Sequence, residues 1–286
     1  MASIRITALV ENTAAGDLLG EHGLAFWIET SAGVALVDTG QGEALPHNAA
    51  RLGADLSRIK ALIVSHGHYD HTGGLAAEMA AAPRAAVCFH PAAMEPKFTR
   101  RPEGSQVRFI GMSDAGHRAI EEHSGRILHA NGPLEVMPGL FVTGPIPRTS
   151  DFEDTGGEFF LDEACTKTDP LVDDQAVYFS TPSGVVILLG CAHSGVVNTL
   201  KHVRKLTGDT PIHAVIGGMH LVHAGEGRLS RTVTALSEMK VAYVYPAHCT
   251  GPAATARLCR DLQDHCVPCV TGMRLEFDMP SRPSAE

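Results

Sequence analysis

Two stretches of this chain carry the same order of elements, and that repeat limits the folds open to it. In the first, the apolar runs "LAFWIET" and "GVALVDTG" flank the break "SAG". The helical pattern "GEALPHNAARLGADLSR" and the buried-type strand "IKALIVS" follow. In the second, "QAVYFST" and "GVVILLG" flank "PS". After them "SGVVNTLKHVRKL" reads as helix, "HAVIGGM" as strand, "GRLSRTVTALSEM" as helix and "VAYVYPAH" as strand. A strand pair followed by β-α-β units, present twice, predicts two similar halves packed into one α/β domain. The expected domain spans residues 1–278, with residues 279–286 as a disordered tail. Residues 91–170 are rich in Gly, Pro and polar groups, and read as an irregular insertion facing a substrate. Thr72 is expected to cap the helix "HTGGLAAEMAAA", and Pro252 to open "GPAATARLCRDLQDH". "VPCVTGMRLEF" is expected to close the chain as a strand.

Composition narrows the partners. The formal net charge is −9, without the basic stripe of a nucleic-acid binder. No apolar run approaches the roughly 20 residues of a membrane-spanning helix. The first residues, "MASIRITALVENTAAGD", lack the pattern of a secretory signal. The expectations are a cytoplasmic protein, no nucleic acid, no membrane, and a small-molecule partner. Seven cysteines spread over 286 residues form no disulfide framework. Cys266 and Cys269, in C-x-x-C spacing, read as small buried residues.

Sixteen histidines exceed what packing asks for. Three of them lie in "SHGHYDHTGGL", directly after "IKALIVS". His66 and His68 are two apart, so an extended chain points both rings the same way. Asp70 and His71 follow where the chain turns, and point to a second position nearby. A single zinc takes about four ligands, and four donors in six residues suit two adjacent ions better. Other strands end in the same way. Cys191 and His193 follow "GVVILLG", His220 follows "HAVIGGM", and His248 follows "VAYVYPA". These strand ends are expected to meet the first loop at one rim. Asp38, in "LVDTG", is placed to accept a hydrogen bond from a ligating imidazole.

The motifs "SHGHYDHTGGL", "LVDTG" and "PAHCTG" together resemble the metallo-β-lactamase superfamily over nearly the whole chain. The resemblance implies an αββα sandwich of two similar halves. It implies that His66 and His68 bind one metal, that Asp70 and His71 bind the other, and that His248 completes the second site. A narrower resemblance rests on "GCAHSGVVNTL", "IGGMH", "PAHCTG" and "TGPIPRTSDFE". It points to the dihydropteroate-synthase-like subgroup of methanopterin biosynthesis. There a dihydropterin diphosphate condenses with an arylamine ribose phosphate. The stretch "LFVTGPIPR" lacks the separate histidine that the wider family carries before its bridging Asp or Cys. Cys191 then stands at the bridging position and His193 replaces the missing histidine; Cys191, His193 or both meet metal.

The expected enzyme uses two divalent ions, zinc first, with manganese or iron fitting similar ligands. The ions would activate a water, Asp70 orient it, and His220 donate a proton to the leaving group. Lys97, Arg100, Arg101, Arg108 and Arg148 stand out in an acidic chain, and four of them, Lys97, Arg100, Arg101 and Arg148, are expected to hold an anionic, phosphorylated substrate. Rival readings are the pterin condensation, hydrolysis of a lactone or thioester, and a metal-dependent sensor without turnover.

Overall fold

The computed structural model describes residues 3–100 and 106–279. In chain order the strands of the first half are β1 (Ser3–Val10), β2 (Ala25–Thr30), β3 (Gly33–Val37), β4 (Ile59–Ile63), β5 (Ala86–Phe89), β6 (Phe98–Arg100), β7 (Val107–Phe109) and β8 (Ile127–His129). Those that follow are β9 (Leu134–Met137), β10 (Leu140–Val142), β11 (Phe159–Phe160), β12 (Ala176–Thr181), β13 (Gly184–Leu189), β14 (Ile212–Gly218), β15 (Tyr243–Ala247) and β16 (Arg274–Asp278). The helices are α1 (Ala44–Leu52), α2 (Tyr69–Thr72), α3 (Leu75–Ala81), α4 (Asp114–Glu121), α5 (Val196–Leu206), α6 (Glu226–Glu238) and α7 (Pro252–Leu262).

Seven strands form one sheet in the order β16-β1-β2-β3-β4-β5-β8, and six form another in the order β15-β14-β13-β12-β10-β9. The doubled pattern is plain in their register. The β2–β3 hairpin pairs Phe26 with Val37, and β4 then runs parallel to β3. The β12–β13 hairpin pairs Ala176 with Leu189, and β14 and β15 then run parallel beside it.

Alternation of side chains divides the core into three layers. Ile6, Phe26 and Val37 of the first sheet meet Val177, Phe179 and Leu188 of the second. Leu36 and Leu62 on the outer face of the first sheet meet Leu45 of α1 and Leu75 of α3. Ile187 and Val215 on the outer face of the second meet Leu200 of α5, Leu236 of α6 and Leu258 of α7. The four layers are therefore helices, sheet, sheet, helices, an αββα sandwich.

Three local expectations are corrected. Thr72 does not cap a helix N-terminus; it ends α2, and its hydroxyl donates to the His68 carbonyl at 3.0 Å. Gly74 precedes α3 instead. The closing strand begins only at Arg274, because Val267 to Met273 first run beside the edge strand β15, bonding Val244 and Pro246, and then cross to Thr13 and Ala8. Residues 91–170 are not one insertion. They supply β8 to the first sheet and β9 and β10 to the second, and only β6, β7 and β11 form a separate three-stranded sheet. Residues 280–286 of the expected tail lie outside the described residues.

Candidate metal centre

Parallel strands bring their C-terminal ends to one edge, and the donors stand there. Asp38 follows β3, the His66 loop follows β4, Cys191 follows β13, His220 follows β14 and His248 follows β15. Asp38, Ala192, His220 and His248 all have positive φ, between 46° and 58°. This left-handed backbone is costly for residues other than glycine and clusters at functional sites. Gly190 lets the halves touch: a Cβ there would lie 2.1 Å from Ser65 Oγ.

The side chains converge in two groups. His66, His68 and His193 place donor atoms within 4.8 Å of one another, and so do His22, Asp70 and His248. Cys191 and His71 lie between, with His71 Nε2 3.2 Å from Cys191 Sγ and 3.3 Å from His248 Nε2. His66 Nε2 lies 3.0 Å from His68 Nδ1. His220 joins Cys191 and His193 in a further group, its ring 4.3 Å from that of His193.

Four imidazoles have one ring nitrogen occupied by the protein. Asp38 Oδ2 meets His71 Nδ1 at 2.7 Å and accepts from Ser65 Oγ, which in turn lies 3.0 Å from His66 Nδ1. Thr155 O meets His193 Nδ1 at 2.9 Å, and Asn12 Oδ1 meets His248 Nδ1 at 2.9 Å. Each leaves Nε2 for the centre. His193 Nε2 is buried and has no hydrogen-bond partner. That is how ligating histidines are held, with one nitrogen fixed by the protein and the other presented to a metal.

Electrostatics favour the ligating form at three of the imidazoles. Burial, with neighbouring imidazoles adding to it, holds His66 and His193 well below the ordinary histidine value, and burial does the same for His68. They stay neutral, the form that binds metal. At His71 burial is outweighed by Asp38 and Asp70, and its pKa rises to about 9. At Asp70 the neighbouring histidines overcome burial and keep the carboxylate ionised. His220 is raised, because contact with Cys249 outweighs burial. The residues present fit divalent metal ions.

Behind the donors lies a clamp. Asp173, Asp174 and Gln175 precede β12. Asp173 Oδ2 accepts from Gly67 N at 2.8 Å, and Asp174 Oδ2 from Ser194 N at 2.8 Å. Gln175 Nε2 donates to Val64 O at 2.9 Å. The triplet thus holds the loops bearing His66, His68 and His193.

Lys97, Arg100 and Arg148 do not gather at the site. Lys97 is fully buried; its Nζ lies 2.9 Å from Asp169 Oδ2 and 3.0 Å from Asp173 Oδ1. Two carboxylates hold it away from any substrate. Arg100 is exposed and lies over the Phe160 ring at 5.6 Å. Arg148 is exposed and donates to Pro170 O. Arg101 lies outside the described residues. Among the described residues, the arginine that lines the pocket over the donors is Arg108, 4.5 Å from the Tyr69 ring centre. This pocket measures about 430 Å³, and Phe159, Thr99 and Ile110 share its far wall.

The sequence reading left out His22, Asn12 and Cys249. Glu11 and Asn12 follow β1, so the strand-end rule would have found them. Glu11 Oε1 accepts from His248 N at 2.7 Å. Cys249 adjoins His248 and shares a donor group with it and Cys191.

An αββα sandwich with imidazole, carboxylate and thiol donors along one sheet edge defines a class of metal-dependent enzymes. Residues 19–248 match the pattern of the metallo-beta-lactamase superfamily, and the chain belongs to it. It is 32% identical over 261 residues to the 7,8-dihydropterin-6-methyl-4-(beta-D-ribofuranosyl)-aminobenzene-5'-phosphate synthase of Methanocaldococcus jannaschii, covering 87% of this chain and 88% of that protein. Among solved structures it resembles Tm1679, described as a metal-dependent hydrolase of the beta-lactamase superfamily. That match has a TM-score of 0.82 at 27% identity, over 96% of this chain and 99% of that one. Zinc-bound PqqB from Methylobacterium extorquens shares the fold at a TM-score of 0.58 and 12% identity, over 95% and 99% of the two chains.

Proposed function

We propose that this metal-dependent enzyme holds two divalent ions and acts on a small phosphorylated substrate. His66, His68 and His193 would hold one ion, and Asp70, His71 and His248 the other, with Cys191 between them. When bound, such ions supply Lewis acidity that polarises a phosphoryl group. The chain's own residues do the rest. Asp38 fixes His71 directly and His66 through Ser65, so one carboxylate orients donors of both groups. Phe159 and Tyr69 give the pocket a dry wall that excludes water, and Arg108 offers a planar fork to an anion. His220, half-buried beside His193, is positioned to hand a proton to a leaving group.

The carrying observation is the facing of the donor groups and the Arg108 wall across one pocket. The relative's name supports a specific form of this reading, condensation of a dihydropterin diphosphate with an arylamine ribose phosphate. The likeness to a metal-dependent hydrolase supports a hydrolytic form. Both use the same donors and the same cation. The test compares the parent with Arg108→Ala on phosphate esters, on the pterin diphosphate with its arylamine, and on a neutral lactone. Loss of an arginine–phosphate contact costs about 1.5–3 kcal/mol, a ten- to hundredfold fall in kcat/KM on charged substrates. Turnover of the lactone alone, unaffected by Arg108→Ala, would discard the phosphorylated substrate.

A further inference from the structure

Cys266 and Cys269 have C-x-x-C spacing, yet the fold sends them to opposite faces of the second sheet. Cys269 joins the core between the sheets, while Cys266 joins the layer under α5, α6 and α7. The sulfur that meets Cys266 belongs to Cys259, on α7. Cys259 Sγ and Cys266 Sγ are 2.9 Å apart. A small side-chain rotation would bring them to a bonding distance of about 2.05 Å. Cys259 is half-buried, so a small solute reaches it, whereas Cys266 is buried.

The position of the pair matters. Cys266 forms a bridge with Val244 of β15, and Val267 N bonds Val244 O at 3.0 Å. Cys269 N bonds Pro246 O at 2.9 Å. The Cys266 segment is therefore bound to β15, the strand that ends at His248. Cys259 lies near the other end of α7, which starts at Pro252, just past the His248 turn. A covalent link from Cys259 to Cys266 ties the far end of α7 to that segment, and its hydrogen bonds to β15 complete a loop that encloses the His248 turn.

We propose that Cys259 and Cys266 form a redox modification site, which a peroxide converts to a disulfide that fastens the His248 turn. The Cys259 thiolate attacks peroxide, its sulfur gains a hydroxyl group, and hydroxide leaves. The Cys266 thiol then attacks that sulfur. The S–S bond forms and water leaves. Two thiols and one peroxide become one disulfide and two waters. A dithiol reverses the step by exchange.

The test uses the full chain loaded with zinc and hydrogen peroxide as the probe. Thiols counted after denaturation in a chelator fall from seven to five. A peptide joining residues 259 and 266, lighter by two hydrogens, appears in the digest. Amide exchange over residues 247–252 slows by about fivefold or more, because α7 and the β15-bound segment, now linked, no longer open independently around the turn. Cys259→Ser and Cys266→Ser abolish the linked peptide and the slowed exchange, and Cys88→Ser leaves both in place. The exchange reading is repeated on the metal-free chain, so it does not depend on the proposed metal site. Free Cys259 and Cys266 after peroxide has consumed other thiols would overturn the proposal. So would a formed disulfide that leaves exchange at the turn unchanged.

Discussion

Replacing Lys97 by Met separates two roles for the most buried cation among the described residues. If Lys97 held substrate, its loss would raise KM and leave the fold alone. The structure argues otherwise. Its Nζ sits between Asp169 and Asp173, and the three side chains are 1%, 3% and 0% exposed. Methionine keeps most of the stem and removes the charge, leaving two carboxylates facing each other away from water. Breaking a buried ion pair by removing one partner costs about 3–5 kcal/mol. That is a large share of the roughly 5–15 kcal/mol that holds a folded domain. At about 2–4 °C per kcal/mol for a chain of this order, Tm falls by roughly 10 °C. Asp173 also accepts from Gly67, so the His66 and His68 loop should loosen and metal affinity fall with stability. The assay is urea unfolding of the metal-free parent, Lys97→Met, Asp173→Asn and the double variant. The double variant should lose less than the sum of the two single losses, because the groups share one network. A Lys97→Met protein within about 1 kcal/mol of the parent and changed only in KM would refute the reasoning.

His193→Ala should lower bound zinc by one equivalent per chain and leave the far-ultraviolet circular dichroism unchanged; elemental analysis showing full zinc would exclude His193 as a ligand. Asn12→Ala frees His248 Nδ1, and metal affinity should drop about ten- to hundredfold in a chelator competition. Glu78, 2% exposed on α3 with Oε2 unpartnered, has its pKa raised by burial from 4.5 to about 7. A raised carboxylate pKa contributes stability present below 4.5 and lost as pH rises through 7. Glu78→Gln should therefore be about 1 kcal/mol more stable than the parent at pH 8, with the gap closing by pH 4.5. Equal unfolding midpoints at pH 8 would show that this carboxylate carries no penalty.

The donors were legible because their rule is local and the sheets align it. A buried apolar run that stops at a polar residue marks the C-terminal end of a strand, and neighbouring parallel strands place such ends side by side. Asp38, His66, Cys191, His220 and His248 each stand within three residues of such an end. Asn12 obeys the same rule after β1, but an amide beside Thr13 reads as a turn, so its bond to His248 went unread. His22 follows no strand end, and only the tertiary fold brings its Nε2 to 3.2 Å from Asp70. Charge was the harder matter. Lys97 was read as a substrate-holding cation because its partners are 72 and 76 positions away. No window along the sequence holds both ends of such a pair. Strand length explains the misread stretch 91–170. β8, β9 and β10 have three or four residues each, too few for alternation to separate strand from turn. Their place in the sheets comes from the strands beside them, with Val142 of β10 paired to Val177 of β12. The site was therefore readable where one element supplies both the donor and its position. It was unreadable where a charge or a short strand takes its meaning from a distant part of the chain.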